Sequence, residues 1–161
     1  MVNENHLKIL KKGVDIWNQW RQENPSIKPD LEWADLSDAN LSRADLSKAF
    51  LVSADLSWAD LHQANLEEAN LSGANLRSAI LLRANLSNAQ LVGAELSRAI
   101  LIEANLNKAN LNGANLGLAR TIFMKLNGAT LTNCRVWGIS AWNLEGIETA
   151  KQSNLVITHD G

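Results

Sequence analysis

Apolar and polar positions recur along this chain with a period of five. Leucine stands at every fifth position from Leu36 to Leu116, seventeen times without a miss. Alanine stands two residues before each, from Ala34 to Ala114, and Ala119 extends the series. A continuous helix needs apolar spacing near 3.6 and a continuous strand needs two, so five fits neither. Within one pentad, however, Ala and Leu are two apart, the spacing that puts both side chains on one side of an extended backbone and the residue between them on the other. The two residues after each Leu are mostly Ser, Gly, Asn, Arg and Glu, which is turn-like composition. Each pentad therefore predicts a short extended piece followed by a corner. Four corners of about 90° close one coil of roughly twenty residues, and the coils stack as an all-β solenoid. Its interior is a set of Leu and Ala columns in which large and small side chains alternate and fill the tube.

The corners make a local demand. Gly73, Gly93, Gly113 and Gly128 fall two residues after an inward Leu, where a type II turn wants a positive φ that Gly adopts without steric cost. Asn88 and Asn133 occupy the same place and tolerate it next best. Asp38, Arg43, Ser53 and Trp58 stand there too, which leaves the turn type open at those corners.

The repeat does not reach the ends. Leu7, Leu10, Val14 and Trp17 follow a helical pattern that predicts one helix from about Asn5 to Glu23, capped by Asn3 or Asn5 and ended by Pro25, with Gly13 inside it. Trp17 and Trp20 are expected to plug the top of the first coil rather than to stack on a ligand. At the other end Thr121 replaces a Leu and Met124 an Ala, then Leu126, Ala129 and Leu131 restore the pattern. Cys134 falls at an Ala position and Val136 at a Leu position. Ile139, Ala141 and Leu144 read as a last degenerate turn, and Asn154 to Thr158 as a strand-like run.

The tandem unit Ala-(Asp/Asn)-Leu-X-X, over roughly Leu31 to Val136, resembles the pentapeptide repeat family, a bacterial family especially abundant in cyanobacteria. The resemblance implies a right-handed quadrilateral β-helix of about five coils, on the order of 25 Å long at an inter-strand spacing of about 4.8 Å. The expected division is 1–29 as an N-terminal α-helical cap and linker, 30–136 as the β-helix, and 137–161 as an irregular C-terminal cap or tail. That tail looks like the segment that follows the repeats in longer multidomain members, so a further domain beyond it is one expectation.

Composition adds constraints rather than chemistry. With 15 basic and 17 acidic residues the net charge is −2, so no strong attraction to nucleic acid or membrane follows. The single cysteine excludes an intrachain disulfide. The first residues are polar and lack the apolar run of a signal peptide, so cytoplasmic residence is the expectation. No phosphate-cradling Gly loop, His-Glu-x-x-His or Gly-x-Ser-x-Gly is present, and no catalytic, cofactor-binding or metal-ligating residue is assigned. His62 lies outward near Asp60 without a second His or Cys on its face, which favours a solvated histidine over a metal ligand. Cys134 reads as a small buried thiol rather than a nucleophile.

Residues twenty apart share a face, so surfaces can be read from the sequence. The face of Leu46, Leu66, Leu86 and Leu106 is polar throughout. The face of Leu41, Leu61, Leu81 and Leu101 instead carries Ile80, Leu82, Ile100, Ile102, Ile122 and Phe123 at outward positions. An apolar cluster of this kind commonly marks a contact surface. It is expected either to dock a second subunit or another protein, or to be covered by the chain's own tail, Val136 to Ile157. Charge is also uneven: nine acidic residues against two basic from Asp30 to Asn70, and six basic against two acidic from Leu71 to Asn133. That gradient reads either as steering of a charged partner or as plain drift of surface charge.

The expected function is a non-catalytic protein-interaction or scaffold module with an unidentified protein partner or self-association. The alternatives are a DNA mimic that binds a type II topoisomerase, as the quinolone-resistance members of the family do, and a regulatory arm of a larger protein. The mimic is disfavoured because only the first two coils are acidic. No enzyme activity, nucleic-acid binding, membrane association or cofactor is expected.

Overall fold

The computed structural model describes residues 3–138 and 143–154. The residue before each inward position pairs in parallel with the one twenty further on: Asp35 with Asp55, Asp55 with Asn75, Asn75 with Glu95, and so through Asn115 with Arg135. Five full turns follow, 30–49, 50–69, 70–89, 90–109 and 110–129. Three backbone hydrogen bonds tie each pentad to the next turn. Leu56 N donates to Asn75 O at 2.7 Å, Asn75 N to Ala54 O at 2.9 Å and Trp58 N to Arg77 O at 2.9 Å. Each extended piece is so short that it forms one bridge rather than a long strand. The Leu and Ala columns are buried from Leu31 to Cys134, apart from the half-buried Ala39, and Thr121 and Met124 take their inward places in the columns.

Every corner has the same form. From Trp33 to Gly128 the residue after it donates back across the turn, as Ala59 N does to Leu56 O at 3.1 Å. From Trp33 to Asn133 the corner residue always has a positive φ, 54–62° at seventeen non-glycine positions and 65–71° at the four glycines. A positive φ confined to the second central residue is the type II pattern, so Asp38, Arg43, Ser53 and Trp58 turn as the glycines do. The left-handed conformation costs a non-glycine residue about 1 kcal/mol. It persists because the same residue's N–H is held by a carbonyl of the next turn, as at Trp58.

The N-terminal segment forms two helices, α1 (Glu4–Leu10) and α2 (Val14–Glu23), not the single helix that the periodicity suggests. Gly13 separates them with φ at 117°, a conformation closed to other residues and outside any helix. Asn3 caps α1 by accepting from Asn5 N and His6 N. Helix α2 lies against the first turn. Trp17 is fully buried and donates its Nε1–H to Asp45 O at 2.8 Å, while Trp20 packs on it at 5.1 Å between ring centroids. The buried Arg21 reaches Ile27 O, Ser47 O, Ser47 Oγ and Asp45 Oδ2.

At the C-terminal end the register continues, with one slip. Glu145 pairs with Lys125 at a spacing of twenty, but Lys151 pairs with Thr130 at twenty-one. A 3-10 turn at Ile147–Thr149 lies between the two pairings and takes up the extra residue. A cavity of about 200 Å³ remains inside this end, lined by Leu116, Met124, Leu131, Val136 and Ile147 among others. The readings made for Ile139 and Ala141, and for the strand-like run beyond Asn154, fall outside the described residues.

A candidate docking face

The pentad sorts the face of turns two to five. In each, the residue before the inward position, the residue after it and the corner residue point outward. The first column reads Asp60, Ile80, Ile100, Arg120, joined by parallel bridges. Leu82 O accepts from Gln63 N, Ile102 O from Arg83 N and Ile122 O from Glu103 N, so the second column, His62, Leu82, Ile102, Ile122, is stacked the same way. Gln63, Arg83, Glu103 and Phe123 form the adjoining corner. All six apolar residues of the strip thus lie on one face. Ile80 is 36% and Phe123 51% exposed, and the other four are half-buried by their neighbours in the column.

The described part of the tail does not lie over this strip. Trp137 O accepts from Leu118 N, Glu145 O from Leu126 N and Lys151 O from Leu131 N. Those residues extend the other three faces end on, because each still follows the interturn ladder. The expectation of a covering tail is corrected to that extent; its parts at 139–142 and 155–157 are outside the described residues.

Charged groups frame the strip. Arg83 grips Glu103 with Nε to Oε2 at 2.8 Å and Nη2 to Oε1 at 3.2 Å. The hydrogen bond from Arg83 holds the Glu103 carboxyl below its ordinary pKa, and that to Glu103 raises the guanidinium's. Both groups are exposed, so the pair adds little to stability. Asp60 Oδ1 accepts from His62 N at 2.9 Å. Neither Asp60 nor Arg120 forms an ion pair among the described residues. On the preceding corner Trp58 stands 63% exposed, and Leu118 lies three turns below it. Trp58 was legible as a corner residue, and its place in the register marks it as outward; Arg21 carried no such signal, because its partners lie in the first turn.

The adjoining face, across the Arg83 and Glu103 corner, is built differently. Asn65 Nδ2 donates to Asp45 Oδ1, Asn85 to Asn65 and Asn105 to Asn85, a ladder at 3.0–3.3 Å. Each acceptor also takes its own chain's amide two residues on, as Asn85 Oδ1 does from Ser87. The ladder side chains of this face are engaged in internal hydrogen bonds, and its outward positions carry polar residues.

Elsewhere the chemistry is sparse. Cys134 is buried, points Sγ at Leu111 O, and burial pushes its thiol up to about 11. That is the opposite of the shift an active nucleophile requires. Among the described residues no group of three His, Cys, Asp or Glu side chains could hold a metal ion, and no helix is long and apolar enough to cross a membrane.

The pentapeptide repeat family matches over residues 30–63, 54–91 and 79–117, in eight copies, which together span more than half of the chain. The chain belongs to the pentapeptide repeat family. It is 36% identical to the pentapeptide repeat protein Rfr23 from the cyanobacterium Cyanothece 51142, over 58% of this chain and 64% of that one, with a TM-score of 0.52. It is also 36% identical to the pentapeptide repeat protein alr5209 from Nostoc Pcc 7120, over 63% of this chain and 79% of that one, with a TM-score of 0.54. The match thus spans less than two thirds of the length of Rfr23. No curated protein matches the sequence. Pentapeptide repeats are in general non-catalytic solenoid scaffolds, and no enzyme family is indicated.

Proposed function

We propose that the chain is a cytoplasmic, non-catalytic protein-interaction module. In this reading it is a right-handed quadrilateral β-helix of about five coils at 30–136. Residues 1–29 cap its first coil, and an irregular segment at 137–161 ends it. Binding takes place on the side face, through Ile80, Leu82, Ile100, Ile102, Ile122 and Phe123. The observation that carries the reading is the contrast between two faces of one rod. One spends its outward groups on internal hydrogen bonds, while the other holds an apolar strip open to solvent. Such a cluster lowers its free energy by leaving water, and a rigid solenoid holds it in shape for a partner.

The double substitution Ile100→Asp and Ile102→Asp tests this. Both side chains point away from the Leu columns, so the circular dichroism and melting temperature are expected to stay near wild type. Self-association and capture of a partner are expected to be lost. Unchanged oligomeric state together with unchanged capture would remove the docking face from consideration. Mimicry of DNA finds less support, since the acidic residues sit at the first two coils and the lower half carries six basic residues against two acidic.

A further inference from the structure

The charges around the strip are arranged symmetrically, and the outer two, Asp60 and Arg120, form no ion pair among the described residues. Down the first column the order is acid, apolar, apolar, base: Asp60, Ile80, Ile100, Arg120. Down the corner beside it, Arg83 and Glu103 straddle the same midpoint between turns three and four. Consider a two-fold axis lying in the face, perpendicular to the rod and passing through that midpoint. It sets a second copy antiparallel, with each column against its own reversed copy. Ile80 then meets Ile100, Arg83 meets Glu103, and Asp60 meets Arg120, each twice. The exposed Trp58, on the preceding corner of turn two, meets Leu118 on the same corner of turn five. Moving the axis by half a turn either way sets Arg83 on Arg83 or Glu103 on Glu103, and a parallel arrangement sets Arg98 on Glu103 but leaves Arg120 against Ile122.

We propose, building on the docking face above, that its occupant is a second copy of this chain in that antiparallel register. Isologous contacts of this kind need a patch complementary to itself, and this face has both an apolar centre and opposite charges at equal distances from the centre. Four turns span only about 19 Å. The buried area therefore falls below the roughly 800 Å² per partner of a standard interface, and the dimer is weak and salt-sensitive.

The test is sedimentation equilibrium of the full chain up to about 1 mM, the range in which weak association is read, at low and high salt. Wild type is expected to dimerise, more weakly at high salt. Asp60→Arg alone and Arg120→Asp alone each place like charges together twice, and each is expected to weaken self-association about tenfold or more. Mixed together, the two single variants restore both attractive pairs, so the mixture is expected to dimerise as wild type does. Basic residues already occupy this pentad position at Arg120 and Arg135, so the fold accommodates the change at Asp60. As a second measurement, the pair Asp60→Cys with Arg120→Cys is expected to give a cross-linked dimer on oxidation, the buried Cys134 taking no part.

A wild type that stays monomeric throughout overturns the proposal, as does a mixture no better than its components. If wild type is monomeric but the Ile100/Ile102 double variant still loses capture of another protein, the docking face stands and the second copy falls. If wild type dimerises and that double variant dimerises equally well, with capture unchanged, both fall.

Discussion

Asparagine and aspartate at the outward position before each Leu are not equivalent. An asparagine amide donates and accepts, whereas a carboxylate only accepts. In the ladder from Asn105 through Asn85 and Asn65 to Asp45, every amide donates toward the N-terminal end. A carboxylate therefore belongs at the head of the column and is costly within it. Asn75 on Asp55 and Asn115 on Glu95 donate in the same direction, each to a carboxylate that stands within its column. Burial works against the charge of Glu95, but bonds from Ser97 and Asn115 outweigh it and hold the carboxyl below its ordinary pKa. Asp30, Asp35 and Asp45 stand at the heads of their columns in this way, whereas Asp55 and Asp60 stand one turn down theirs. Asn65→Asp is accordingly predicted to replace a hydrogen bond by carboxylate against carboxylate, costing about 1 kcal/mol near neutral pH. The introduced group's pKa is raised in the folded chain, so the loss is present above that pKa and shrinks as acid protonates it. Denaturant unfolding at pH 7 and at pH 4 would check this. Equal stability at pH 7, or a loss independent of pH, would count against the ladder.

Helix α2 and the first turn form one element through Arg21. Its guanidinium is 5% exposed and takes four acceptors, three of them from the first turn. Removing it leaves Ile27 O, Ser47 O and the Asp45 carboxylate short of a donor. Arg21→Met, which keeps the length of the stem, is predicted to lower unfolding free energy by about 2 kcal/mol. Chemical denaturation followed by tryptophan emission would report it, since Trp17 lies between the same two parts. A stability within error of wild type would mean that α2 is held by Trp17 and by Asn18, which bonds Arg43 O and Asp45 N, without help from Arg21.

At the scale of the whole molecule, the inward columns and the four faces were legible because pentad spacing fixes both, from Leu31 to Cys134. The polar face and the apolar strip follow from the same count. What the sequence hid depends on bonds between distant residues. The break at Gly13 looked like a tolerated interruption, since periodicity runs through it. The common corner at Trp33, Trp58 and Arg83 is imposed by the next turn's carbonyls, against local preference. The one-residue slip between Glu145 and Lys151 arises where the repeat signal has faded. The self-complementarity of the face around Ile80 and Ile100 appears only when four turns are compared at once.

The central claim, that this face meets another molecule of the same chain, is tested most directly by isoleucine methyl spectra. Protein labelled at the isoleucine methyls would be titrated with unlabelled protein. The prediction is progressive shifts at Ile80, Ile100 and Ile102, with Ile16 and Ile27, exposed in the N-terminal segment, unchanged. Shifts confined to Ile16 and Ile27, or none at any concentration reached, would contradict it.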